Sequence, residues 1–287
     1  MANCLVTGHK GYIGSKLYAK LEELGHTVYG IDIISEQLLE KLDIRWHLFD
    51  HKKQPNHIKF KPDYIFHLAA KPSVGWSVEN PSDSLSHNVL GSSRILEFAK
   101  LSGAKRVIFA SSAAAITPTS PYGAHKRMTE LECKVYASLY DIDTVCLRYF
   151  NVYSEDQKYG GAYSTAISAW LEMIRRNLPL RFDGDGTQTR DFIHVDDIVD
   201  ATIHCMAHEE DFNGEVYDVG TGYSHSLTEI KDYINNILDV TWDLQPERLG
   251  DIKNSRAKTS KLENTGWKAR IKLETGLQRC FASVGDK

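Results

Sequence analysis

The chain has 287 residues, with 38 acidic and 34 basic side chains and a formal charge of −4; 42% apolar and 25% charged residues are the balance of an ordinary globular protein, long enough for one large or two modest domains. Mild acidity argues against a nucleic-acid-binding surface, and the longest nearly uncharged apolar stretch, residues 107–116, is about half the ~20 residues a bilayer span needs. Five widely spaced cysteines without a C-x-x-C pair read as free thiols in a reducing cytoplasm, and the opening residues show no basic or long apolar signal segment, so no secretion is expected.

Residues 4–7 form an apolar run that ends in a glycine-rich turn, Gly8-His9-Lys10-Gly11-Tyr12-Ile13-Gly14. Residues 14–24 then take helical spacing through Leu17, Leu21 and Leu24. A strand over residues 26–33 carries Asp32 near its end, and further strands are expected at 64–69, 106–110 and 145–152. Between them residues 88–101 are helical, with Leu90, Ile95, Leu96 and Phe98 apolar. Strands alternating with helices predict a parallel α/β sheet covered on both faces. Past Asn151 the texture changes. Residues 154–163 are polar and rich in Gly and Tyr, 166–176 helical, 183–189 turn-rich, and 196–207 helical with Asp196 or Asp197 as the N-cap. A strand at 215–219, a helix at 228–238, a polar stretch at 245–260 and a last helix at 273–283 complete the pattern.

The turn between the first strand and helix has the small residues that let backbone approach a pyrophosphate, and the helix N-terminus faces that charge. Its spacing is G-x-x-G-x-x-G. Asp32 at the end of the next strand would accept from ribose hydroxyls and repel a 2′-phosphate; no Arg or Lys lies within three residues of it, so NAD is favoured over NADP. Tyr122 and Lys126 are four residues apart and share one helix face. A tyrosine with an ordinary pKa near 10 needs about three units of stabilisation, ~4 kcal/mol, to act as a base at pH 7, and a neighbouring ammonium supplies charge of the right sign. Ser111-Ser112 ends the preceding strand and can hydrogen-bond the reacting oxygen.

On these motifs the chain resembles the extended short-chain dehydrogenase/reductases, in particular the NAD-dependent nucleotide-sugar epimerases and dehydratases. The likeness runs through nearly the whole chain: the turn of Gly8, Gly11 and Gly14; Phe49-Asp50-His51; His67-Leu68-Ala69-Ala70; Asn88-Val-Leu-Gly91; Ser112, Tyr122 and Lys126; Arg148-Tyr-Phe-Asn-Val-Tyr153; residues 190–197; and Arg248-Leu-Gly-Asp251. It implies a Rossmann-type doubly wound parallel sheet over residues 1–153, with 191–222 returning to it. A smaller discontinuous substrate domain is implied over 154–190 and 223–287. By resemblance, Ser112, Tyr122 and Lys126 are catalytic. Tyr12, Ile13, Asp32, Asp50, His51, Leu68, Ala69, Ala70, Asn88 and Phe150 join the glycines, Tyr122 and Lys126 around NAD. Asn151, Phe182, Arg190, Arg248, Asp251 and Ser255, with Ser112 and Tyr122, face the nucleotide sugar; Phe182 resembles a uracil-contacting segment and the two arginines a diphosphate clamp.

Within that family, dehydratases carry Asp-Glu after the catalytic hydroxyl, decarboxylases a Glu at the second position, and some epimerases and synthases a Cys nearby. Here those positions are Ala113 and Ala114, which exchange no protons. Hydride chemistry with Tyr122 as the acid/base remains, which suits a 4-epimerase working through a transient 4-keto sugar. Ser255 stands where the resemblance puts the residue that gates the sugar pocket, and a small side chain there leans toward UDP-N-acetylglucosamine or dual specificity. Alternatives are a uronic-acid 4-epimerase, a C2 or heptose 6-epimerase, a reductase or dehydratase, and, in another class, an inactive NAD(P)-sensing or RNA-binding relative. The chain departs from the family at His51 and in having only ten positions between Ser112 and Tyr122, where Thr117 or Ser120 can compete for the role of Ser112. His194 with Asp196, and His204 with His208, each offer too few ligands for a metal site, so no metal is expected, and Asp196-Asp197 reads as helix capping. The resemblance also implies a homodimer built from the helices near 88–101 and 122–140.

Overall fold

The computed structural model describes residues 1–32, 61–157, 165–247 and 253–285. The predicted site residues Asp50, His51, Arg248 and Asp251 lie outside them, as does much of the Gly/Tyr-rich stretch after Asn151. Two units are defined by internal packing: residues 1–148 with 199–217, and residues 149–198 with 218–287.

The first unit is built on a six-stranded sheet. Its strands are β1 (Asn3–Thr7), β2 (Thr27–Ile31), β3 (Tyr64–His67), β4 (Arg106–Ser112), β5 (Asp143–Tyr149) and β10 (Glu215–Val219), in the order β10-β5-β4-β3-β1-β2. β2, β1, β3 and β4 pair in parallel, Leu5 standing opposite Tyr29 on one side and Ile65 on the other. These strands are apolar along their length because both faces are covered. The chain runs outward one way from β1 to β2 and the other way from β3, so the order reverses beside β1, the place where open α/β sheets bind ligands. Helices α1 (Tyr12–Glu23), α4 (Gly91–Ser102) and α5 (Pro121–Leu139) carry the crossovers. Leu5, Ile65, Ile95, Phe98, Val107 and Phe109 form the core.

The expected helix at 88–101 is part of a longer run. Two short helices, α2 (Val74–Glu79) and α3 (Pro81–Leu85), lead through a π-helical turn (Ser86–Leu90) into α4. The wider turn falls where Asn88 points its side chain inward, and such bulges are common where a side chain has a task other than packing.

The predicted strand at 145–152 is two strands. β5 ends at Tyr149, and after Phe150 the chain forms β6 (Asn151–Tyr153), which pairs in parallel with β9 (Phe192–His194). This pairing holds residues 191–198 in the second unit and narrows the expected return segment of 191–222 to 199–217. The second unit also contains α6 (Ala166–Arg175), β7 (Leu180–Asp183) paired with β12 (Trp242–Gln245), β8 (Thr189–Arg190) paired with β11 (His225–Ser226), α8 (Leu227–Ile237) and α10 (Leu273–Gly285). Aromatic side chains dominate its core: Tyr153, Trp170, Phe182, Phe192 and Phe281. Helix α7 (Val195–Ala207) begins at the junction of the two residue sets. Its acids are not caps as expected: Asp197 accepts from the Arg270 and Ile271 amides, and His194 Nδ1 accepts from Asp196 N.

Candidate active site

The glycine turn is held shut by its own backbone. Gly8 N–H donates to Ile31 O at the end of β2, Gly11 N–H donates to Gly8 O, and Gly14 lies against the Gly8 carbonyl. Gly8 has φ +74° and packs on the Ala69 amide, where a Cβ would stand 2.8 Å from the nitrogen, so neither a side chain nor a different backbone fits. Tyr12 and Ile13, half-buried, open α1, and Gly11 leaves its N-terminus without a side-chain cap. Asp32 accepts from Lys10 N at 3.0 Å and ties the turn to β2. A turn with no room for side chains, an uncapped helix start and a carboxylate at the neighbouring strand end fit a dinucleotide pyrophosphate and its ribose.

Behind the turn runs a chain of buried hydrogen bonds. Ala69 N–H donates to Thr7 Oγ1, whose hydroxyl donates to His67 Nδ1; His67 Nε2 donates to Ser92 Oγ, and Ser92 donates to Asn88 O. Burial and the Lys126 charge hold the His67 imidazole neutral, its pKa pushed down to about 3. Leu68, Ala69 and Ala70 are half-buried above β3, and Leu68 N donates to Thr7 O. The Asn88 carboxamide is buried, Oδ1 accepting from Lys71 N while Nδ2 donates to Lys71 O and Ser84 Oγ. It thereby fixes the loop after β3.

Helix α5 is capped by Ser120, which accepts from Gly123 N, and by Ser77, which accepts from Tyr122 N. Tyr122 and Lys126 are both buried on this helix. The Lys126 ammonium donates to Ala110 O at 2.7 Å and stands 4.7 Å from the Phe109 ring centre and 5.9 Å from that of Tyr122. Burial lowers its pKa to about 8, so it is still mostly protonated at pH 7. One turn on, the buried Glu130 accepts from Ser111 Oγ at 2.6 Å and from Arg148 Nε and Nη2 at 2.7 Å. Ser111 is thus spent, leaving Ser112 as the hydroxyl at the strand end; its Oγ accepts from Ala114 N and caps the 3-10 turn Ala113–Ala115. The short loop is possible because a Cβ on Gly123 would come 2.5 Å from Ala114 O: glycine lets that turn seat directly on the helix. Glu130 and Ser77 were not among the predicted site residues. The spacing 122-126-130 on one face was available to find the first; nothing local marks the second.

In the second unit, Arg190 is half-buried on β8 with Nη1 donating to Thr189 O. The next residue, Asp191, is fully buried; Oδ1 accepts from Thr221 N and Oγ1, and Oδ2 from Gly222 N and Ala257 N. This four-donor nest fixes the 221–222 turn and residue 257. Asn151 donates through N and Nδ2 to Asp191 O. Half-buried Ser255 is held by its backbone, N donating to Thr189 O and O accepting from Ser224 Oγ. Phe150 is buried, with N donating to Val219 O. The Phe182 ring is 4% exposed, stacked on Trp170, edge-on to Trp242 and 4.8 Å from the Lys231 ammonium, within the core of this unit. Among the described residues no group of three or more His, Cys, Asp or Glu is placed to hold a metal, and no helix is long and apolar enough to cross a membrane.

A phosphate turn at the reversal point of a parallel sheet, with a buried Tyr-x-x-x-Lys pair in the same unit, defines a dinucleotide-dependent α/β enzyme. The NAD dependent epimerase/dehydratase family model matches residues 4–220. The chain is 33% identical over 303 aligned residues to a putative UDP-glucose 4-epimerase of Methanocaldococcus jannaschii and 31% to the UDP-glucose 4-epimerase of Mycolicibacterium smegmatis, covering 96% of both chains in each case. It superposes with TM-score 0.83 and 31% identity on the UDP-N-acetylglucosamine 4-epimerase of Methanobrevibacter ruminantium M1 in complex with UDP-N-acetylmuramic acid, covering 98% of each. The protein belongs to the NAD dependent epimerase/dehydratase family, and NAD is its cofactor.

Proposed function

We propose that the protein interconverts the C4 epimers of a UDP-hexose or UDP-N-acetylhexosamine. The observation that carries this reading is the site itself: Tyr122 and Lys126 buried on one helix, Ser112 at the strand end, and Ala113 and Ala114 after it with no proton to exchange. NAD, when bound, would supply a reversible hydride acceptor for C4, so no outside oxidant would be needed. The Tyr122 oxygen takes the C4 hydroxyl proton and gives it back to the keto oxygen. Ser112 donates to that same oxygen. The Lys126 ammonium, fixed by Ala110 O, favours the phenolate by charge. A carboxylate has about four acceptor sites, so Asp32 serves the ribose hydroxyls beside its bond to Lys10. Arg190, with Arg248, holds the diphosphate, and the loop built on Asp191 sets Arg190 in place. Ser255, small and held by its backbone, leaves room for an N-acetyl group.

The test is incubation without added NAD on a panel of UDP-, CDP-, GDP-, dTDP- and ADP-sugars. The expected product is the C4 epimer of UDP-glucose, UDP-N-acetylglucosamine or both. Accumulation of a stable keto sugar or release of NADH overturns epimerisation, and inertness toward every donor overturns the enzymatic reading. Turnover of UDP-glucose with none of the N-acetylated sugar removes the argument from Ser255.

We further propose that the active form is a dimer of this chain. Met128, Leu131, Val135 and Leu139 form an exposed apolar stripe on α5, Leu131 at 58% and Leu139 at 66% exposure, and Leu90 and Leu101 are exposed at the two ends of α4. A contiguous apolar stripe on a charged helix is the kind of surface a two-fold interface covers.

A further inference from the structure

The buried His125 belongs to neither the reacting pair nor the core cluster, yet it sits between Tyr122 and Lys126 on the same helix. Its Nδ1 is 3.0 Å from Ser84 Oγ, and Ser84 is fully buried on α3. Ser84 in turn receives Asn88 Nδ2 at 3.2 Å. The Ser84 hydroxyl thus joins Asn88 Nδ2 to His125 Nδ1, the direction of the second bond following the imidazole tautomer. Burial lowers the His125 pKa.

Asn88 is the junction of two chains. Through Lys71 it fixes the loop after β3, through Ser92, His67 and Thr7 its carbonyl reaches the amide of Ala69 on which Gly8 rests, and through Ser84 it reaches the catalytic helix. A second link to the helix comes from Thr129, whose Oγ1 stands 3.2 Å from both Asn88 O and His125 O and shares its proton between them. At 100° per residue, His125 and Thr129 lie on one flank of α5 and Lys126 and Glu130 on the other. The first flank is bonded to α3 and the π turn. The second is bonded to β4 and β5 through Ala110 O, Ser111 and Arg148. Two faces about 100° apart, each bonded to different elements, hinder the helix from rolling about its axis. A tyrosine hydroxyl stands about 9 Å from that axis, so a roll of about 10° carries it through about 1.5 Å, and misplacement by about 1 Å can cost ~100-fold in rate.

We infer that His125 is a positioning residue: through Ser84 and Asn88 it locks the rotation of the catalytic helix to the loop after β3, on which the cofactor turn rests, and so sets where the Tyr122 oxygen points. This rests on the epimerase reading of Tyr122. The test compares His125→Phe, His125→Asn, Ser84→Ala and the double variant His125→Phe/Ser84→Ala on UDP-glucose and UDP-N-acetylglucosamine, with Tyr122→Phe as a control. The Phe variant fills the space without an acceptor, whereas Asn Oδ1 stands near the place of Nδ1. Expected are a loss in kcat of roughly 10- to 100-fold in His125→Phe, KM and co-purifying NAD within about twofold of the parent, and recovery to within about threefold in His125→Asn. Ser84→Ala should lose a similar factor, and the double variant no more than the worse single one. Wild-type kcat in His125→Phe, a loss confined to KM, or losses in the two single variants that multiply in the double one overturn the inference. If His125→Phe does not fold, Ser84→Ala decides by the same kcat and KM criteria. Full turnover in Tyr122→Phe overturns the reading of the site instead, and is seen separately.

Discussion

At the scale of single residues, buried neutral groups decide how the first unit responds to acid. His67 accepts from Thr7 through Nδ1 and donates to Ser92 through Nε2, so both ring nitrogens are used and a second proton has no place. Its pKa falls from an ordinary 6.5 to about 3. Above pH 6.5 neither the folded nor the unfolded chain binds a proton there. Between pH 6.5 and about 3 only the unfolded chain does, so stability is lost as pH falls, by up to about 1.4 kcal/mol per pH unit from this group. Urea unfolding at pH 7, 6 and 5 should show a shallower pH dependence in His67→Gln than in the parent; equal slopes would contradict this. Lys126 is buried too, but keeps its proton at neutral pH because its ordinary pKa is so much higher.

At the scale of elements, the Asp191 nest is the most exposed to a single change. Asn at this position turns one acceptor oxygen into a donor facing backbone N–H groups. Asp191→Asn should lose about 2–4 kcal/mol of stability, read from a lowered Tm, and raise the KM for the nucleotide sugar through the loop beside Arg190. An unchanged Tm would refute the nest. Legibility in the sequence divides along the same line. The glycine turn, Asp32 and the Tyr122–Lys126 pair were readable because strand, turn and helix are adjacent in the chain and their spacing is local. The nest was not, since its donors are 30 to 66 residues from Asp191. Nor was the polar chain through His67, whose link to Thr7 spans 60 positions. The run at 145–152 concealed a change of partner because its residues are apolar before and after Phe150 alike; only the pairing of β6 with β9 divides it. Asn88 and Phe182 match family motifs by residue type, while the three hydrogen bonds of the first and the three side chains around the second come from distant or unmarked positions.

At the scale of the molecule, the proposed dimer gives the stripe on α5 a consequence that a monomer would not share. Sedimentation of the wild-type chain at micromolar concentration should give the dimer mass, and Leu131→Arg/Val135→Glu the monomer mass; a wild-type monomer would sink the proposal. The same whole-chain view bears on Arg106. This buried residue pairs with Asp143, lies over the Phe212 ring, and donates to the carbonyls of Cys205, His208 and Glu210. It thereby fastens the returning segment 199–217 to β4. Synthesis runs from the N-terminus, so Arg106 emerges long before its carbonyl partners exist. At roughly 5–20 residues per second the ribosome needs about 3–14 s to travel from residue 148 to residue 217. For that interval the Arg106–Asp143 pair of the nascent first unit waits without its carbonyl acceptors, and the β5 edge waits without β10.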